Sequence, residues 1–167
     1  ADQVDRPNSG PGIRLAGGVL GAEITENVVR ANLGHGIVLA DAATSGTLLY
    51  RNQVTGNTLD GLRLDGGSGN VVGGIGSAWL NEFRANGAFG VRVATGNGNV
   101  IRGNIVSEHA QAIVLGTGHP PNDPYDLDGG PNQQLNRPVA FASGHGPTNW
   151  ELSWGLMSAA DTQLTVD

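Results

Sequence analysis

Apolar and polar positions recur along this chain in one fixed phrase: Asn, four residues, Asn, three residues, Gly, then apolar–any–apolar. It stands at Asn27–Leu39 (NVVRANLGHGIVL), Asn52–Leu64 (NQVTGNTLDGLRL) and Asn81–Val93 (NEFRANGAFGVRV). Gln3–Leu15 fits with Gln for the first Asn, and Asn104–Leu115 fits with one residue deleted and Ala112 where the Gly stood. The corner glycines Gly12, Gly36, Gly61 and Gly90 lie 24, 25 and 29 residues apart, and Ala112 follows after 22. Asn8, Asn32, Asn57 and Asn86 repeat the intervals 24, 25 and 29. A third series lies between them, in GAEI (21–24), GTLL (46–49), GNVV (69–72) and GNVI (98–101). Five copies of one phrase make an internal repeat, and a repeat of this period sets the architecture before any single motif does.

Each copy predicts about three short strands separated by Gly or Asn bends. Ile13/Leu15, Ile37/Leu39, Leu62/Leu64, Val91/Val93 and Ile113/Leu115 bracket Arg14, Val38, Arg63, Arg92 and Val114. Period two sends the apolar pair inward and the bracketed residue outward. A helix is excluded, because each segment is about four residues long and bounded by Gly or Asn. If one coil advances by one strand spacing, roughly 4.8 Å, equivalent residues stack. Asn32 then lies beside Asn57 and Asn57 beside Asn86, free to hydrogen-bond along the axis. Asn also tolerates the left-handed bend conformation. The 29-residue interval is accounted for by Gly73–Leu80 (GGIGSAWL), which lengthens one bend.

Composition agrees. Hydrophobic content of 38% is thin for a thick core, but it suits a solenoid with a narrow apolar stripe and 28 glycines for its corners. The chain has no cysteine and no lysine, so disulfides and thiolate metal sites are excluded. A net charge of −6 argues against nucleic acid as a partner. No apolar run reaches the length of a membrane span. Gln3 and Asn8 are already in phase with the repeat, so this 167-residue chain is expected to be a fragment or to have its first coil covered by something else.

With its GNVIRGN turn (98–104) and its inserted bend NVVGGIGSAWLNEF (70–83), the chain resembles the right-handed parallel β-helix proteins of the pectate-lyase-like superfamily, in the bacterial secreted and cell-surface repeat class. The resemblance covers about residues 1–118 and implies an all-β fold, a single-stranded solenoid of about five coils, in an extracellular protein. It does not imply one activity, since the superfamily holds lyases, hydrolases, epimerases, adhesins and inert stalks.

From Gly116 the periodicity stops. Residues 119–138 (HPPNDPYDLDGGPNQQLNRP) are dense in Asp, Asn, Pro and Gly and read as an ordered loop. Residues 139–167 carry three strand-like runs, Val139–Ser143, Asn149–Met157 and Thr162–Val166. They are too few to complete a β-sandwich alone, and so are candidates for pairing with the helix or with a neighbouring chain.

Candidate chemistry falls into three groups. Asp60 and Asp65 flank one strand and Asp41 follows its equivalent one coil earlier, so Asp41 and Asp65 could approach across neighbouring coils, where glycosidases need two or three carboxylates within about 5–10 Å. As plain alternatives they are solvated bend residues. Arg63 and Arg92, equivalent in adjacent coils, with Arg14 two coils below Arg63, could form a row that binds carboxylated sugars or serves a lyase; pairing with Glu82, Asp60 or Asp65 is the structural alternative. Asp126, Asp128 and Asn132, with Asp123 and Asn136, offer oxygens to Ca2+ in D-x-D-G-G-P-N, though no EF-hand Glu closes the loop. An Asx-turn network accounts for the same residues without a metal.

His35, His109, His119 and His145 fall in unrelated repeat positions, which gives a metal cluster no sequence support, and His35 is expected to face solvent. Trp79 is the one exposed-looking platform on the helix, while Trp150 and Trp154 would share one strand face. The expectation is a non-enzymatic extracellular scaffold, self-associating end to end or through its C-terminal strands. The alternative is a polysaccharide lyase or glycoside hydrolase acting on an acidic polysaccharide through Asp41, Asp60, Asp65, Arg63 and Arg92.

Overall fold

The computed structural model describes residues 7–118 and 129–134, and the backbone of 139–145 and 150–155. Strands follow one another coil by coil. The first coil holds β1 (Ile13–Leu15), β2 (Glu23–Thr25) and β3 (Val28–Arg30); the second β4 (Ile37–Ala40), β5 (Leu48–Tyr50) and β6 (Gln53–Thr55). The third holds β7 (Leu62–Asp65), β8 (Val71–Gly73) and β9 (Glu82–Arg84); the fourth β10 (Phe89–Thr95), β11 (Val100–Arg102) and β12 (Ile105–Ser107). Then β13 (Gln111–Leu115) opens a fifth.

Each strand pairs in parallel with its equivalents above and below. This gives a five-stranded sheet β1-β4-β7-β10-β13 and two four-stranded sheets, β2-β5-β8-β11 and β3-β6-β9-β12. The chain is an all-β parallel solenoid. Its described coils number four complete turns and one further strand, where the repeat count leads to about five. The difference arises because the Gly–apolar strand occurs five times, whereas the other two sheets have four members each.

Registers match the repeat. Ile13, Ile37, Leu62, Val91 and Ile113 stack in one inward column and Leu15, Leu39, Leu64, Val93 and Leu115 in another. Ile24, Leu49, Val72 and Ile101 form the inward column of the second sheet, and Val29, Val54, Phe83 and Val106 that of the third. These columns are the core. The longer third interval does not disturb them: the insertion bulges out between β8 and β9, and Gln53 still pairs with Glu82.

The corner glycines are needed for space rather than for φ. A Cβ on Gly36 would lie 2.6 Å from the Gly61 carbonyl oxygen and 2.8 Å from the Asn57 amide nitrogen, well inside van der Waals contact. Within the coils the left-handed conformation falls elsewhere than expected: it belongs to the residue before most bend asparagines, not to the asparagine, with Leu80 before Asn81 an exception. Glu26 and Arg51 (both φ 58°) precede Asn27 and Asn52; Ala31 (53°), Gly56 (63°) and Ala85 (51°) precede Asn32, Asn57 and Asn86. The bend needs one left-handed residue, and the asparagine that follows is left with its side chain aimed along the axis.

Beyond the coils, Pro131–Gln134 forms a tight turn, with Asn132 and Gln133 at positive φ (47° and 58°). An antiparallel hairpin follows, β14 (Val139–His145) with β15 (Trp150–Gly155). These match two of the three predicted C-terminal runs; Thr162–Val166 lies outside the described residues.

Candidate functional site

Stacking turns the bend asparagines into three hydrogen-bonded ladders. In the first, the Asn32 backbone N–H and Nδ2 both donate to Asn57 Oδ1 (3.1 and 2.8 Å), and Asn57 donates in the same way to Asn86 Oδ1. Asn57 Nδ2 also reaches the Val29 carbonyl and Asn86 Nδ2 the Val54 carbonyl. The second ladder runs Asn27, Asn52, Asn81, Asn104. In the third, the Thr47 N–H donates to Asn70, Asn70 to Asn99, and Asn99 to Asn132. Asn52, Asn57, Asn70 and Asn81 are fully buried, and burial is tolerable because their amides are paired.

The ladders also take in a histidine, and an asparagine from outside the repeated phrase. His109 does have a repeat position: five residues after Asn104, it ends the first ladder, its Nε2 accepting from the Asn86 N–H at 3.2 Å. An accepting Nε2 puts the ring proton on Nδ1. Burial pushes the imidazole below its ordinary pKa, with the neighbouring Glu108 carboxylate opposing. The neutral form is thus the one the ladder uses. Asn132 is the only calcium candidate among the described residues. Its Oδ1 accepts from the Asn99 N–H and Nδ2 (3.0 and 3.2 Å) and its Nδ2 donates to the Asn99 carbonyl (2.7 Å). The Asn132 side chain therefore extends the third ladder. Asp123, Asp126, Asp128 and Asn136 lie outside the described residues, and among the described ones no cluster of His, Cys, Asp or Glu could hold a metal ion.

The five-stranded sheet and the bends at its strand ends carry the carboxylates and arginines. Asp41 (φ 68°) accepts from the Gly17 N–H one coil below (2.6 Å), and from Ala43 N, Thr44 N and Thr44 Oγ1. The Gly17 bond, with those from Thr44 and Ala43, lowers its pKa against an opposing desolvation. Asp60 is buried, 2% exposed. Its Oδ1 accepts from the Phe89 N–H (3.3 Å), while its Oδ2 lies 3.2 Å from His35 Nδ1. That same nitrogen accepts from the Asp60 N–H at 3.1 Å. His35 is accordingly a half-buried partner of Asp60, 19% exposed rather than solvent-facing. The two contacts ask opposite things of Nδ1: bare, it receives the amide and leaves Oδ2 without a donor; protonated, it serves Oδ2 and loses the amide.

Arg63 and Arg92 are direct neighbours in the row, with Val38 between Arg14 and Arg63. Arg63 reaches Asp65 Oδ1 at 3.3 Å. Arg92 donates from Nε to the Gly116 carbonyl (2.9 Å), with its guanidinium 5.7 Å from the Phe89 ring centroid. Val38 is outward yet only 7% exposed, as expected where arginine stems flank an apolar residue. Glu82 is in a different sheet, beside Gln53 and Ile105, and does not join this row.

The structure brings Arg63, Arg92 and Asp65 onto one patch, and His35 and Asp60 onto another. It sets Asp41 next to Asp65, since Ala40 pairs with Asp65 in the adjacent coil, and leaves Asp60 apart from Asp65. Asp60 and Asp65 stand at opposite ends of β7, five residues or roughly 16 Å apart in extended chain, beyond the spacing that paired acid catalysis uses.

No curated protein and no solved structure matches the chain. The family described as the right-handed β-helix region matches residues 5–122, the whole of the stacked strands and well over half of the sequence. With the parallel sheets and ladders built from those same residues, the chain belongs to the right-handed β-helix family.

Proposed function

We propose that this chain is a non-enzymatic structural module of a secreted or cell-surface bacterial protein. The observation that carries it is the occupation of the acids: Asp41 clamps two coils through four hydrogen bonds, and Asp60 is buried against His35 and the Phe89 amide. Groups used this way hold the coil and are not free to approach a glycosidic bond. Self-association fits the same role, with copies stacking end to end. The inward residues Ile13 and Leu15 of β1 and Ile113 and Leu115 of β13 are only partly buried, and strands with one neighbour offer both backbone groups and apolar side chains to a further coil.

A polysaccharide lyase or hydrolase is the competing reading, favoured by Arg63 and Arg92 standing side by side, a pair that could grip carboxylated sugars. One experiment separates the two. The chain is incubated with acidic and neutral polysaccharides, with and without added calcium, and assayed for reducing ends and unsaturated uronates. The structural reading expects no release above buffer. Turnover that disappears in Asp65→Asn and Arg92→Ala would overturn it.

A further inference from the structure

The inserted bend has no role in the ladders or the core, yet it is firmly built. Its Trp79 N–H donates to the Gly76 carbonyl (3.1 Å), and its last residue, Leu80, accepts from the Arg51 N–H (3.0 Å). Trp79 stacks on Tyr50 of β5, ring centroids 4.8 Å apart and planes tilted by 55°. Gly74 makes this possible, since a Cβ there would meet the Trp79 Cβ at 2.9 Å. Tyr50 is fixed in turn by a hydrogen bond from its hydroxyl to Glu23 (3.2 Å). So positioned, Trp79 is still 46% exposed. Burying a tryptophan would gain considerable free energy, and this one is held half out on a rigid support.

The same bend walls a cleft of about 230 Å3 against the third sheet, lined by Arg51, Gln53, Ser77, Leu80, Glu82 and Ile105. Its polar groups are a mixture: Arg51 donates, Glu82 accepts, and Gln53 and Ser77 do both. Arg51 is already neutralised by Glu26 at 2.7 Å, so the surroundings carry no surplus positive charge. A cleft below the roughly 300–1,000 Å3 of drug-sized sites has room for one ring of a longer chain. Mixed donors and acceptors suit hydroxyls, and an exposed indole suits the C–H face of a pyranose.

We propose that the bend at 74–80 is a binding site for neutral oligosaccharides, with one sugar ring in the Arg51–Gln53–Glu82 cleft and Trp79 as an adjoining platform. The site lies away from the arginine row and suits uncharged rather than carboxylated ligands. It adds a recognition function that is independent of whether the coil is inert.

Titration calorimetry with hexasaccharides of β-1,4-glucan, β-1,3-glucan and α-1,4-glucan tests this, with oligogalacturonate as the acidic comparison. At least one neutral chain is expected to bind, and Trp79→Ala to weaken it about tenfold, as loss of an aromatic contact does. Trp79→Phe should retain most of the affinity. Should Trp79→Ala lower the melting temperature, Gln53→Ala, an exposed position on a paired strand, carries the same test. No binding to any neutral chain, binding of the acidic comparison alone, or equal affinity in the variant that keeps the native melt overturns the proposal. Absence of turnover in the polysaccharide assay bears on the structural reading alone, so the two fail separately.

Discussion

The residue before most of the ladder asparagines carries the conformational cost of the bend. Ala85 adopts φ 51° and Ala31 φ 53°, while their equivalent Gly56 reaches φ 63°. A left-handed L-residue costs about 1–2 kcal/mol, and glycine relieves this while adding about 0.4–1 kcal/mol of unfolded-state entropy. Ala85→Gly is therefore expected to stabilise the chain by about 0.5–1 kcal/mol, and Gly56→Ala to destabilise it by a similar amount. Urea unfolding of both variants checks the sign. Nothing lies within 4 Å of a Cβ placed on Gly56, so the comparison isolates φ from crowding; destabilisation by Ala85→Gly would show that the bend is not strained. At this scale the sequence was legible in part. Alternation around Ile37 and Leu39 reads directly, because period two needs no partner. The left-handed site does not, because Glu26, Ala31 and Arg51 are not residues that choose that conformation; the coil imposes it. His109 was legible by subtraction, five residues after Asn104, but a histidine standing in for an asparagine has no compositional signature.

The ladders are the elements that join coil to coil where the sheets are interrupted. Asn57 is their clearest test, since each of its amide atoms has a partner: Oδ1 receives the Asn32 N–H and Nδ2, and Nδ2 donates to Asn86 Oδ1 and the Val29 carbonyl. Asn57→Ala would strand three of these groups where water does not reach. At about 1–3 kcal/mol for each unsatisfied buried group, the loss should be 3 kcal/mol or more. Asn57→Asp keeps the acceptor but turns a second oxygen toward two others, so a nearly isosteric change is expected to fail as well. A loss under 1 kcal/mol in the alanine variant, by denaturant midpoint at unchanged slope, would show that the ladder contributes little. Asn8, Asn32, Asn57 and Asn86 announced this element through their spacing. The insertion announced itself too, as the 29-residue interval, but not what it builds. Trp79 packing on Tyr50 joins residues 29 apart, each two before a ladder asparagine, so the interval pairs the positions without giving the contact. His35 and Asp60 each precede a corner glycine, 25 residues apart, so the interval stacks them, but it does not say that their side chains meet, because side chains on bends are placed by the neighbouring coil and not by their own.

For the whole molecule, a solenoid in which each coil touches only its neighbours has a stability that is a sum along the axis. The burial is graded in just this way. Ile37, Leu39, Leu62, Leu64, Val91 and Val93 are fully buried, whereas Ile13 and Leu15 at one end, and Ile113 and Leu115 at the other, are only partly so. End coils have one packing partner instead of two, and opening them exposes less apolar surface than opening the middle. Native-state hydrogen exchange of the 167-residue chain should therefore show slowest exchange in β4, β7 and β10, with β1 opening more readily, in line with local unfolding that spans a range of free energies. Phe83 sharpens the expectation. It is the largest fully buried side chain, packed between Val54 and Val106 in the third coil, and it ties the middle of the stack together where the insertion interrupts the chain. If β1 and β7 were instead equally protected, the coils would be unfolding as one unit. Coupling along the ladders would then be strong enough to override the thinner packing at the ends, and the additive picture of this solenoid would have to be given up.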